Sequence, residues 1–203
     1  MGRLSSILGP CTLEGEFVRL EPLKTEHRDA LVSAAQDSDW SWLSIDGTSR
    51  DQMSGWIGDA ILAQEKGTEY PFIVRSKLTG EIVGSTRYMD VRPPQKGVEI
   101  GWTWYSSRVW GTVVNPECKL LMLSHAFEDW GAIRVQLKTD SNNTHSQRAI
   151  LKLGAKFEGR LRNHRLRKDG SRGDSMMYSI TAEEWANGVK ENLLARIGSF
   201  KPR

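Results

Sequence analysis

The chain has 203 residues, of which 38% are hydrophobic and 26% charged, proportions that fit one ordinary soluble domain. Its 28 basic and 25 acidic side chains leave a net charge of only +3, so overall charge does not indicate a nucleic-acid-binding protein. Two cysteines make no disulfide framework, and no stretch suits a bilayer span or a signal peptide, so we expect a cytoplasmic protein.

Hydrophobic periodicity, turn dipeptides and capping residues predict twelve elements in the order β-α-α-β-β-β-α-β-α-β-β-α. In chain order these are a strand at 18–21, helices at 25–35 and from 49 to about 67, strands at 70–74, 82–88 and 98–105, a helix from 115 to 131, a strand at 133–138, a helix from 143 to 154, strands at 157–161 and 175–180, and a helix from 181. The pattern predicts a mixed α/β domain.

Three helix starts are marked by their capping residues. Ser49 and Gln52, like Thr181 and Glu184, have the spacing of a capping box, in which each residue's side chain satisfies a backbone N–H of the other. Asn143 is an N-cap candidate for the helix that follows it. These signals fix where the helices begin more closely than hydrophobic periodicity does.

The strand–loop–helix run from residue 98 to 127 is the best local candidate for a binding site. Asn115 is the predicted N-cap of the helix and Pro116 its first residue, while Gly131 is its stop. Gly111 in the preceding loop lets backbone approach an anion, and a helix N-terminus attracts a pyrophosphate. Taken alone, an ordinary tight strand-to-helix turn explains the pattern better, because such short motifs occur often by chance.

Several further stretches share one family's residues and their order. They are GEFVRLEPL at 15–23, VEIGWTWY at 98–105, NPECKLLMLSHAFE at 115–128, RVQLKTD at 134–140, Asn143 with Ser146, LGA and FEG within 153–159, and Asp174 with YSI at 178–180. In these stretches the chain resembles the GNAT superfamily of N-acetyltransferases, specifically its RimJ/RimL-like branch. Each fragment is unspecific, but their joint order from about residue 14 to 190 is a strong signal.

The resemblance implies a GNAT fold of the α/β (α+β) type. In that fold a mixed central sheet of about seven strands is flanked by helices and is splayed between its fourth and fifth strands. The family domain would cover residues 14–190, with 1–13 as an N-terminal extension and 191–203 as the C-terminal helix end and tail. The resemblance also implies acetyl-CoA as the donor, a primary amine as the acceptor, no metal, and a homodimer.

The resemblance assigns residues to acetyl-CoA binding. The pantetheine arm would lie along Ile100, Gly101, Trp102 and Thr103, and the pyrophosphate on the loop that follows, with Asn143 and Ser146 nearby. The residues of that loop and helix start are Arg108, Trp110, Gly111, Thr112, Val113, Val114 and Asn115. The family's loop pattern ends in Gly or Ala where this chain has Val113, and a β-branched residue resists unusual dihedrals, so we expect a shifted loop.

The resemblance also implies two catalytic residues. Glu99 stands where family members often carry a catalytic glutamate, which would accept the amine's proton through one water. Ser146 would hydrogen-bond or protonate the departing thiolate, because Ile150 replaces the tyrosine that many members use. Backbone N–H groups at 100–102 would hold the oxyanion. The alternatives are a Glu99 that faces solvent or an arginine, and a Ser146 that only solvates a helix turn.

Four tryptophans, Trp40, Trp42, Trp102 and Trp104, could line the acceptor pocket, although core packing is the better interpretation for at least two of them. Cys118 fits a buried position on its helix rather than a nucleophile, so no covalent enzyme intermediate is expected.

Two other functions stay open at this stage. One is a non-catalytic acyl-CoA-binding or sensor protein. This alternative stays open because Val113 and Ile150 stand where the family pattern has other residues. The other is an RNA-contacting protein that uses six basic residues between 160 and 172. No aromatic residues interleave that basic stretch, so the usual stacking platform is missing, and neither a nucleic acid nor a membrane is the expected partner.

Overall fold

A computed structural model describes residues 9–200 of the chain as an eight-stranded sheet with helices on both faces. The strands are β1 (Leu13–Glu14), β2 (Val18–Pro22), β3 (Tyr70–Ser76), β4 (Ile82–Arg92), β5 (Gly97–Tyr105), β6 (Arg134–Asp140), β7 (Lys156–Leu166) and β8 (Arg172–Thr181). The helices are α1 (Arg28–Ala35), α2 (Arg50–Glu65), α3 (Val114–Ser124), α4 (Thr144–Leu151), α5 (Ala182–Glu184) and α6 (Lys190–Gly198). Short 3-10 turns precede α1, β5 and α3, and π-helical segments follow α3 and α5.

The strands lie in the order β1-β2-β3-β4-β5-β6-β8-β7, and every neighbouring pair is antiparallel except the parallel pair β5–β6. The predicted mixed sheet with flanking helices is therefore confirmed. The strand count is one higher than expected, because residues 13 and 14 form the short strand β1 against β2. Residues 1–8 of the expected N-terminal extension and residues 201–203 of the tail lie outside the described part of the chain.

The sheet is splayed between β5 and β6, as the resemblance implied. The two strands pair at only three positions, the last of which joins Glu99 to Gln136. Beyond it, β6 stays paired with β8 and β5 stays paired with β4. The register between β4 and β5 slips where Trp102 has a φ of +48°, which marks a β-bulge. A bulge bends its strand, and here it coincides with the separation of β5 from β6.

Side chains on the two faces of the sheet enter two separate hydrophobic clusters. Val98 and Ile100 of β5 point toward α3, whereas Trp104 points toward α1 and α2. The pleat alone would put these three residues, which are an even number of positions apart, on one face. The extra residue of the bulge at Trp102 turns Trp104 to the other face. Cys11 and Leu13 also pack on the α3-side cluster, so the packed structure continues to the N-terminal side of residue 14. Among residues 9–200, no helix is both long enough and apolar enough to cross a bilayer.

The structure confirms the caps predicted at Ser49, Asn143 and Thr181, but only one of the two predicted capping boxes is complete. Asn143 and Ser49 cap their helices through N–H groups three residues on, at 3.0 and 3.4 Å. The Ser49 box is incomplete, because the side chain of Gln52 accepts the N–H of Asp46 instead. The box of Thr181 and Glu184 is complete.

Helix α3 begins at Val114 and its N-cap is Val113, so the prediction that Asn115 is the N-cap is wrong by two residues. The hydroxyl of Thr112 explains the earlier start, since it accepts the N–H of Val114 at 3.3 Å. The predicted stop is confirmed, because the π-helical segment after α3 ends just before Gly131, whose φ is +72°.

Glu117, in the first turn of α3, fixes the turn between β1 and β2. Its carboxylate is buried and accepts three backbone N–H bonds, from Glu16, Phe17 and Val18, at 2.7–2.8 Å. A Cβ on Gly15 would lie 2.5 Å from the carboxyl carbon of Glu117, so only glycine fits there without movement. The N-terminal turn is therefore tied to the helix whose start borders the candidate site.

Candidate functional site

The splay opens a cleft between β5 and β6. From Ile100 on β5 and Leu137 on β6 onward, the strand edges that face each other are not paired with one another. Backbone N–H and C=O groups on such edges need partners from elsewhere. The cleft thus presents backbone hydrogen-bonding groups that an extended ligand could pair with.

The loop that precedes α3 shows no backbone strain at Val113, the residue that departs from the family pattern. Gly111 has a φ of +71°, which glycine adopts readily. Val113 has ordinary helical dihedrals, with φ −68° and ψ −16°. The reason for expecting a shifted loop, backbone strain at Val113, is therefore not met. Arg108 points toward Ser106 and Glu81.

On the other side of the cleft, the first turn of α4 carries Asn143 and Ser146. The side chain of Asn143 is used in capping, and the hydroxyl of Ser146 makes no hydrogen bond within residues 9–200. The exposed indole of Trp110 stacks on the ring of His145, with centroids 5.8 Å apart. This stack joins the loop before α3 to the start of α4, and only tertiary structure reveals it, since nothing in the sequence connects His145 to the loop.

Glu99 lies at the point where β5 and β6 separate. It is 2% exposed, and its carboxylate accepts hydrogen bonds from Gln136 at 2.8 Å and from the ammonium of Lys138 at 2.9 Å. Both partners lie on β6, so the side chain reaches across the start of the cleft. In the described part of the chain, Glu99 faces neither solvent nor an arginine, and a lysine is its charged partner. A Cβ on Gly101 would lie 3.2 Å from the Glu99 carboxylate, so the glycine leaves room beside it.

Three residues of β5 that we expected to contact the donor have side chains in three different environments. Ile100 is buried in the α3-side cluster. Trp102, turned by the bulge, packs on the opposite side near Trp56, with ring centroids 6.1 Å apart. Thr103 shares a hydrogen bond of 2.8 Å with Thr86. The side chains of these three residues are therefore engaged away from the cleft.

Two of the tryptophans expected in the acceptor pocket belong to the core. Trp40 and Trp104 are buried against each other with centroids 4.8 Å apart, and the Trp40 indole N–H donates to Ala35. Trp42 is partly buried, and its carbonyl accepts a hydrogen bond from Arg165. The core interpretation that the sequence left open applies to Trp40 and Trp104.

A buried lysine, which the sequence analysis missed, lies under the bulge. Lys119 of α3 is 4% exposed, and its ammonium donates to the hydroxyls of Thr103 at 2.8 Å and Thr86 at 3.3 Å. Burial lowers its pKa from 10.5 to about 8, because a charged ammonium is poorly solvated there. The sequence does hint at this burial. Lys119 precedes Met122 by three residues and Leu123 by four, so it lies on the apolar face of the helix.

Neither cysteine has the environment of a nucleophile. Burial raises the pKa of Cys118 to about 12 and that of Cys11 to about 11. His125 is held between Asp129, at 2.7 Å from its Nδ1, and the sulfur of Cys11, at 3.6 Å from its Nε2. Among residues 9–200, no group of three histidine, cysteine or carboxylate side chains is placed to hold a metal ion.

The basic stretch forms the hairpin of β7 and β8, in which most of its charges are engaged. Arg167 makes a bidentate pair with the buried Asp140, and Arg160 pairs with Asp174. Lys168 donates to the carbonyl of Trp40 at 2.7 Å, and Arg165 likewise bonds the loop after α1. The hairpin is thus bound to the rest of the protein through Asp140 and the carbonyls of Trp40 and Trp42.

Comparisons with known proteins agree with this geometry. The profile of the family described as "Acetyltransferase (GNAT) domain" matches residues 18–156. A GCN5-related N-acetyltransferase from Brucella melitensis is 26% identical, with a TM-score of 0.86 over 93% of this chain and 86% of that one. A chain from T. thermophilus, solved as a candidate acetyltransferase, is 32% identical, with a TM-score of 0.80 over 93% and 97%.

RimJ from Mycobacterium smegmatis, solved in complex with a CoA disulfide, has the same fold at 21% identity, with a TM-score of 0.77 over 93% of this chain and 96% of that one. The resemblance to RimJ/RimL-like proteins is therefore confirmed at the level of the fold. A comparison with curated proteins gives no match.

Proposed function

The chain belongs to the GNAT acetyltransferase family and is an acetyl-CoA-dependent N-acetyltransferase, and on that premise we propose that it acetylates a primary amine by direct attack in a ternary complex. The observation that carries the proposal is the position of Glu99. Its carboxylate lies where β5 and β6 part, beside the unpaired backbone that would take the donor. A base at the point where the two strands separate can accept a proton from an acceptor amine that approaches from the face of the sheet opposite to the donor.

The base is needed because the acceptor is protonated at neutral pH. An α-amino group with a pKa of about 7.7–8.0 is largely protonated at pH 7, and a lysine side chain at about 10.4 almost entirely so. Glu99 accepts that proton, through one water because the side chain is buried. Lys138 and Gln136 hold the carboxylate in one orientation while it does so.

Bound acetyl-CoA supplies a thioester carbonyl, at which the acceptor nitrogen forms the new amide bond while the carbon–sulfur bond breaks. Backbone N–H groups near residues 100–102 donate hydrogen bonds to the carbonyl oxygen as its charge develops. The hydroxyl of Ser146 donates a hydrogen bond to the sulfur, which departs as the thiolate, a role that its lack of a hydrogen-bond partner within residues 9–200 leaves available. The raised thiol pKa values of Cys11 and Cys118 agree with direct attack rather than an acyl-cysteine.

An assay of free thiol release tests the proposed function. Purified protein is given acetyl-CoA with a panel of N-terminal peptides, free amino acids and polyamines. We expect thiol release that depends on the amine, with acetylated product in equal amount by mass spectrometry. Binding of acetyl-CoA without turnover on any amine would contradict the proposal and favour a non-catalytic acyl-CoA-binding protein.

A further inference from the structure

A cavity of about 390 Å³ lies on the α2 side of the sheet, between α2 and strands β4 and β5. Trp56 of α2, Arg87 of β4 and Trp102 at the bulge line it, with Asp59 and Glu69. In the β4–β5 register Arg87 stands opposite Gly101, and Met89 opposite Glu99. Because residues two apart share a face of a strand, Arg87 and Glu99 lie on the same side of the sheet, about 7 Å apart along the strand direction.

The guanidinium of Arg87 is buried, and three of its five N–H groups have no hydrogen-bond partner within residues 9–200. The residue is 3% exposed, and its Nη1 donates to Glu69 at 2.5 Å. Its Nε and Nη2 have no hydrogen-bond partner within residues 9–200. Nε and Nη2 form one edge of a guanidinium, with two roughly parallel N–H groups that match the two oxygens of a carboxylate. A buried donor pair of this kind is costly unless a ligand accepts it.

Two indole rings cover the faces of the guanidinium. The central carbon of Arg87 lies 4.7 Å from the ring centroid of Trp56 and 5.1 Å from that of Trp102. Such contacts attract the cation but leave its edge N–H groups unsatisfied. Burial also lowers the pKa of Arg87, although Glu69 and the exposed Asp59 act in the opposite direction. A further carboxylate that accepts from Nε and Nη2 would compensate the desolvated charge.

We propose that Arg87 binds a carboxylate of the acceptor through Nε and Nη2, so that the protein acetylates amines that also carry a carboxylate. This inference rests on the proposed function and specifies its acceptor. Trp56 and Trp102 hold the guanidinium in place, and the acceptor's amine lies toward Glu99. The carboxylate comes either from a free amino acid or from an acidic residue near a peptide's N-terminus.

Matched acceptors test the inference on the wild-type protein. The thiol-release assay compares free amino acids with their carboxamides, and peptides with an early Asp or Glu with their Asn or Gln counterparts. The carboxamide leaves the desolvated guanidinium without its charged partner, so we expect kcat/KM to favour one carboxylate series by on the order of 100-fold. The amino-acid and peptide arms identify the carboxylate's source. Equal kcat/KM for acids and amides in both arms would overturn the inference.

The variant Arg87→Lys keeps the charge but loses the paired N–H edge. We expect it to lose most of the preference for carboxylates while its affinity for acetyl-CoA stays that of the wild type. Arg75→Lys is the matched control, since Arg75 also makes a bidentate pair, with Glu21, but lies on β3 away from the cavity. A variant that keeps the preference and only loses thermal stability would show that Arg87 has a structural role. No turnover with any amine would instead overturn the proposed function, and this inference with it.

Discussion

Replacing Glu99 by glutamine lowers kcat at neutral pH by about 100- to 10,000-fold, the usual contribution of a general base. Glutamine is nearly isosteric and keeps a hydrogen-bonding side chain beside Gln136 and Lys138, but it cannot take a proton. The loss shrinks as pH rises through the pKa of the acceptor amine, because the amine is then already neutral. The measurement is kcat against pH, together with the dissociation constant of acetyl-CoA, which should change little.

An exposed glutamate provides the control for this experiment. Glu183 in α5 lies outside the cleft, and Glu183→Gln should leave kcat at the wild-type value. If Glu99→Gln turns over as fast as the wild type across the whole pH range, then Glu99 is not the base and the proposed mechanism is wrong at that step.

Replacing Lys119 by methionine stabilises the protein at pH 7 by up to about 3 kcal/mol, the equivalent of a lysine pKa lowered from 10.5 to about 8. Below pH 8 this lysine is charged in both folded and unfolded states, and only the folded state carries the desolvation cost. As pH rises from 8 to 10.5 the folded protein has already lost the proton that the unfolded chain still binds, so the wild type gains stability. Thr86 and Thr103 still bond to each other in the variant.

Denaturant unfolding at several pH values measures this difference. The advantage of Lys119→Met should be largest below pH 8 and should vanish near pH 10.5. The exposed Lys66, at the C-terminal end of α2, is the control, and Lys66→Met should show no such dependence. A variant less stable than the wild type, with an unchanged pH profile, would mean that the hydroxyls of Thr86 and Thr103 fully solvate the ammonium.

Much of the fold follows from local sequence signals. The alternation in 98–105 and the caps at Asn143 and Thr181 predict their elements, because the forces involved act within a few residues. The prediction places the start of α3 two residues late because the hydroxyl of Thr112, rather than the side chain of Asn115, accepts its first N–H. A competing polar side chain two residues away is enough to move a helix boundary.

The site was less predictable, because its chemistry depends on which residues meet across the sheet. Glu99 could be assigned from its resemblance to the family's motif, but its partners Gln136 and Lys138 depend on the β5–β6 register. Nothing in the sequence marked Arg87 as a functional residue, since it lies in a strand segment that is otherwise buried. Its environment comes from Trp56 on a preceding helix and from a bulge that no local pattern predicts.

Isothermal titration calorimetry with acetyl-CoA and with CoA tests most directly whether the opening between β5 and β6 takes the donor. We predict saturable heat with one molecule bound per chain and a dissociation constant below about 1 mM, in the usual range for enzyme substrates. Absence of heat from both ligands at millimolar concentration would contradict the account.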